Sequence, residues 1–111
     1  MLVRHFSEVD NKKIEIEGAL GVKKRVLLGE TDGTPNFVMR MFSINPGGNT
    51  PFHTHNWEHE VYVLSGKGLL KQADGSSDIG PGSVILVLPN EEHGFVNVGE
   101  EDLIFLCSIP K

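Results

Sequence analysis

Cysteine is nearly missing from this chain: Cys107 stands alone, so no internal disulfide can form and folding does not depend on an oxidising compartment. Long apolar runs are missing too. The longest, Val84 to Leu88, is too short to cross hydrocarbon, and the opening MLVRHFSEVDNKK is charged and lacks the apolar stretch of a secretory signal. These absences lead to the expectation of a soluble, cytoplasmic protein with no membrane partner. Positive charge is in deficit, with 10 Lys and Arg against 15 Asp and Glu and a formal net charge of −5. The one basic cluster, Lys23-Lys24-Arg25, lies beside an apolar strand and reads as a solvated strand edge, where charge discourages edge-to-edge pairing. Without a basic face, nucleic acid is not an expected partner.

Helical periodicity is also lacking, since no stretch keeps an apolar helical repeat over several turns. What is present is turn chemistry: 13 glycines and 6 prolines punctuate short β-rich runs. Strands are expected at Lys23–Leu28, Phe37–Ile44, Glu60–Leu64, Gly68–Gln72, Ser83–Leu88, Gly94–Asn97 and Leu103–Ile109. Turns are expected at Thr31–Pro35, Asn45–Gly48, Asp74-Gly75, Gly80–Gly82 and Val98–Asp102. The run Ser83-Val-Ile-Leu-Val-Leu88, apolar beyond its first residue, is expected to be buried on both faces, whereas residues 7 to 17 fit either a helical turn or a short strand. No repeat or linker divides the 111 residues, so residues 1–111 read as a single all-β domain, a sandwich or closed barrel.

Of five histidines, three fall within His53-Thr-His-Asn-Trp-Glu-His59. On a strand His53 and His55 share a face, and His59 opens the next strand with the parity of Val61 and Val63. His93 arrives from a distant hairpin. Such imidazoles can converge on one ion at about 2.0–2.2 Å, although His53 and His55 by themselves could equally hydrogen-bond loop backbone. His5, isolated, reads as an ordinary hydrogen-bonded residue, and Trp57 as a rim or interface residue.

The spacing around these residues resembles the cupin superfamily. Its first motif, Gly-(five)-His-x-His-(three or four)-Glu-(six)-Gly, is matched by Gly47, His53, His55, His59 and Gly66, with histidine in the glutamate slot. Glu60 suits the four-residue option but then stands five residues before Gly66, on the face opposite His59, so His59 is the favoured ligand and Glu60 a neighbour of the site. The second motif is matched in part by Gly82, Pro89, His93 and Asn97, with Pro89 one place late and Glu91 about where a glycine belongs. The motif core is thus residues 47–97. Segments from Arg25–Gly29 to Phe105–Pro110 further resemble small thermophile cupins with a four-histidine manganese site. That resemblance implies a double-stranded β-helix (the jelly-roll or cupin barrel), a homodimer, and dioxygenase-like oxidoreductase chemistry on a small organic substrate.

His53, His55, His59 and His93 are therefore the expected ligands of one divalent metal per chain, manganese first, with iron, nickel, copper and zinc also compatible with imidazole. Neutral donors leave the full charge of the ion in the barrel, which favours an anionic substrate or an acidified water. Phe95, sharing parity with His93, could line the pocket or simply pack the core. Cys107 reads foremost as a small buried residue, and Arg40 is either outward-facing at an interface or an anchor for a substrate anion. Against the oxidative reading stands a non-redox one: isomerase or lyase chemistry by Lewis-acid polarisation, or small-molecule binding without turnover.

Overall fold

The structure, a computed structural model, describes all of residues 1–111. Nine strands account for most of it: β1 (Lys12–Lys13), β2 (Leu20–Leu28), β3 (Phe37–Asn49), β4 (His59–Ser65), β5 (Gly68–Gln72), β6 (Gly75–Ile79), β7 (Val84–Val87), β8 (His93–Asn97) and β9 (Leu103–Pro110). They pair antiparallel in the order β6-β5-β8-β3-β9-β4-β7; off this path β2 also pairs with β3, and β1 with β2. The sheet curls about 275° round an axis as a double-stranded β-helix that is not fully closed. No helix is long and apolar enough to cross a membrane.

Alternation of side chains decides what lies inside the curl. Val61 and Val63 of β4, Leu103, Phe105 and Cys107 of β9, Ile44 of β3, Val22 of β2 and Phe95 of β8 form one buried cluster. Asn97, also buried, is fully engaged: its amide donates to the carbonyls of Ile44 and Glu101, and its carbonyl accepts from Gly99 N–H. That bonding explains a buried asparagine without a ligand.

Four expectations are corrected. The segment Asn45–Gly48 does not end a strand: it is an irregular stretch within β3, with Gly47 at φ +81°, after which Asn49 pairs with Leu20 of β2 and Val96 of β8. Glycine makes this possible, since a Cβ on Gly48 would sit 2.4 Å from the Leu20 carbonyl oxygen. The run from Ser83 is not buried on both faces: Val84, Leu86 and Leu88 are 74%, 56% and 50% exposed, and only Ile85 and Val87 face inward. Here β7 is an end strand of the order, and nothing in the chain covers its outer side. The basic cluster is no solvated edge: β2 pairs on both sides, Lys24 turns inward, and the Arg25 guanidinium donates to the carbonyls of Phe6 and Val9. Finally, the polar strand β6 was not anticipated, because Gly-Ser-Ser-Asp-Ile carries no apolar alternation and is held by pairing with β5 alone.

Residues 7 to 17 hold both candidates, the end of a 3₁₀ turn at Phe6–Glu8 and the short β1. His5 caps that turn, its Nδ1 accepting from Ser7 N–H.

Candidate metal centre

The stretch 50–58 that carries His53 and His55 is not a strand but a connection between β3 and β4, so period-two alternation does not aim these rings. Lacing to β8 does. His53 and His93 exchange backbone hydrogen bonds at 3.1 and 3.0 Å, Thr50 N–H donates to the Phe95 carbonyl, and Phe95 N–H donates to the Thr50 hydroxyl. Asn90 N–H reaches the His55 carbonyl. His59, by contrast, sits at the start of a regular strand and is buried by the parity it shares with Val61 and Val63.

One nitrogen from each of His53, His55 and His93 lies within 4.8 Å of the others. His59 meets this group through His55, its Nε2 standing 2.8 Å from His55 Nε2, with ring centroids 4.1 Å from His55 and 5.2 Å from His93. On His53, His59 and His93 the outer nitrogen is already engaged. His53 Nδ1 lies 2.9 Å from the Pro51 carbonyl and His93 Nδ1 2.9 Å from that of Glu91; a carbonyl only accepts, so each Nδ1 carries its hydrogen and each Nε2 keeps a lone pair. His59 Nδ1 is 3.0 Å from Cys107 Sγ, which also accepts from Arg40 Nη2 at 3.0 Å. Arg40 Nη2 also stands 3.3 Å from His59 Nδ1; when that nitrogen donates to the thiol the ring's Nε2 is free for a metal, and when it accepts from the guanidinium the hydrogen moves to Nε2.

Three of the rings, His55, His59 and His93, are pushed toward the neutral form. Burial, then the charge that His55 and Arg40 would set beside it, brings His59 down to about 3; burial first and His93 next lower His55; burial lowers His93 against the opposing pull of the Glu91 carbonyl. The 2.8 Å between His59 Nε2 and His55 Nε2 is that of an N–H···N hydrogen bond when one ring carries the hydrogen, and it suits two donors on one cation when neither does. Donor type, outer-nitrogen bonding and spacing all fit a divalent ion, whose nitrogen donors sit about 2.0–2.2 Å away.

The cluster lies at a cavity of about 210 Å³. Phe95, Arg40 and Cys107 line it, joined by Ile14, Phe42, Phe105 and Trp57. Trp57 stacks on His55 with ring centroids 4.6 Å apart. Arg40 is inward because it shares the face of Phe42 and Ile44 on β3; its guanidinium lies 5.0 Å from the Phe42 ring. Burial pushes the Cys107 thiol up, away from thiolate. Glu60 lies outside the cavity: strand parity turns it to the outer surface beside Tyr62 and Leu86, on the face opposite His59. Lys24 lines the cavity and was missed; its parity with Val22 was the available signal, masked by the run of basic neighbours.

Comparison with known proteins gives a consistent frame. Residues 40–109 match the family model described as "Cupin domain". Glucose-6-phosphate isomerase of Pyrococcus furiosus is 36% identical over 93 residues, 73% of this chain and 49% of that one. The polyketide cyclase RemF of Streptomyces resistomycificus superposes with a TM-score of 0.93 at 36% identity, covering 99% of this chain and 79% of the other. A predicted oxalate decarboxylase of Thermotoga maritima does so with a TM-score of 0.86 at 28% identity, covering 98% of each. The chain spans about half the length of the curated relatives it matches.

Proposed function

The chain belongs to the cupin family, and from that premise we propose that it is a metal-dependent enzyme of non-redox type, an isomerase or lyase acting on a small organic substrate. The observation that carries the reading is the convergence of imidazole nitrogens, those of His53 and His93 with their outer nitrogens held by backbone carbonyls, on a cavity of about 210 Å³. The proposed ligands are His53, His55, His59 and His93 around one divalent ion, manganese in the first instance. When bound, the ion supplies Lewis-acid polarisation of a substrate oxygen. The chain does the rest. The carbonyls of Pro51 and Glu91 fix two rings, the Cys107 thiol orients His59, and Phe42, Phe95 and Phe105 give the substrate a wall that excludes water.

The similar proteins include an isomerase, a cyclase, a predicted decarboxylase and a methylsulfurylase, names that support this reading better than dioxygenase chemistry. Metal analysis of the protein as isolated, followed by substrate panels run with and without air, tests it. Turnover unaffected by removal of oxygen is expected; stoichiometric oxygen uptake would return the function to the oxidoreductases. The proposal extends to a single cytoplasmic domain over residues 1–111 that works as a homodimer.

A further inference from the structure

Fifteen Asp and Glu give this chain its net negative charge, yet none of them lines the cavity, whereas Lys24 and Arg40 both do. The two cations are close neighbours: Lys24 stands opposite Phe42 in the β2–β3 ladder, two residues from Arg40 on the same inward face. Neither forms an ion pair, Arg4 with Asp32 being the pair the structure contains. Arg40 meets the Cys107 thiol, His59 Nδ1 and the Phe42 ring through one end of its guanidinium, and its Nε is buried with no hydrogen-bond partner. Burying cationic groups without an anion is costly, and a divalent ion at the histidines would add to the positive field. Lys24 also borders a second pocket with Glu8, Asp10 and Asp32, yet no carboxylate of the protein pairs with either cation.

Size and lining narrow the class of anion the two would take. About 210 Å³ falls below the roughly 300–1,000 Å³ of sites for drug-sized ligands, so the occupant is small. Away from Lys24, Arg40 and the histidines the wall is mainly aliphatic and aromatic, and the one hydroxyl, that of Thr50, already accepts from Phe95 N–H. The backbone N–H groups of Ile14, Thr50, His53, His93 and Phe95 are already spent on acceptors within the protein, so these five cannot cradle phosphate oxygens. Two cations and an apolar wall suit a singly charged group on an apolar body.

We propose that Lys24 and Arg40 form a carboxylate site, so that the substrate is a small organic acid held by its carboxylate with its reacting end toward the histidine cluster. This inference rests on the metal-centre reading for the role of the site but not for the binding itself. Burial and the proximity of Arg40 hold the Lys24 ammonium below its usual range, as expected for two cations awaiting a shared anion.

The test is calorimetric titration of benzoate, its neutral analogue benzamide and inorganic phosphate into the intact protein, both metal-free and manganese-loaded. Benzoate is expected to bind the metal-free protein at least ~10-fold more tightly than benzamide or phosphate. Lys24→Gln and Arg40→Gln should each weaken benzoate by roughly tenfold, with Arg40→Lys recovering part of the loss. Equal binding of benzoate and benzamide, tighter binding of phosphate, or a Lys24→Gln variant that binds benzoate normally would each overturn the carboxylate site. Lys24→Gln keeps the test decisive if Arg40→Gln does not fold. Benzoate binding to a protein that takes up no manganese would sink the metal centre and leave this site standing.

Discussion

His59 and Glu60 are consecutive residues on opposite sides of one wall: the imidazole is 8% exposed and faces His55, the carboxylate lies outside beside Tyr62. At the proposed centre, His59→Ala should weaken metal binding by more than ~100-fold. Glu60→Ala should fall short of the roughly 10–100-fold cost of losing a group bonded to a ligand. Metal titration of both variants checks this, and the reverse order would place the carboxylate in the coordination sphere. The low pKa of His59, about 3 against an ordinary 6.5, has a consequence for stability. Between those values the unfolded chain takes up a proton that the folded chain refuses. Stability from the neutral, buried ring is thus present above pH 6.5 and lost as pH falls toward about 3. Urea midpoints of metal-free protein should be lower near pH ~5 than near pH ~7.5; a midpoint that rises on acidification would show that His59 is charged in the fold.

At the scale of elements, the turn between β4 and β5 depends on Gly66, whose φ is +91° and where a Cβ would stand 2.5 Å from the Asp102 carbonyl oxygen. Gly66→Ala should destabilise the protein by about 1–3 kcal/mol, read as a lower denaturation midpoint with the slope unchanged. An unshifted midpoint would mean that the β4–β5 turn relaxes freely. This glycine was legible as part of a motif, as were the histidines, because spacing along the chain records which groups must meet. Strand parity was legible for β4, where Val61 and Val63 alternate with Glu60, Tyr62 and Leu64. It failed for β7, since apolar residues on both sides carry no record of which side the protomer covers. It could not serve residues 50–58, where the backbone bonds of His53 to His93 position the rings in place of strand geometry. Lys24 was hidden for a related reason: three consecutive basic residues look alike in sequence, and only the pairing of β2 separates the one facing in from Arg25, which holds the N-terminal segment.

For the molecule as a whole, the outer face across β3, β9, β4 and β7 is the feature that the curled sheet leaves unfinished. Val84, Leu86, Tyr62, Leu64 and Met39 are 74%, 56%, 48%, 41% and 37% exposed. Met39, Tyr62, Val84 and Leu86 line one groove with Leu106, in which Glu60 is the only charged side chain. A contiguous apolar patch at the end of a sheet order is an association surface unless it is covered, and a twofold copy of the same patch covers it with complementary chemistry. The proposed homodimer is assigned to this face. Leu86→Glu places a charge in the groove while leaving the inward residues Ile85 and Val87 untouched, so the fold should survive. Light scattering at micromolar concentration should give twice the chain mass of 12.2 kDa for the native protein and a value near one chain for the variant. A native mass of one chain would remove the dimer, and a variant that stays dimeric with its circular dichroism unchanged would move the interface to another face.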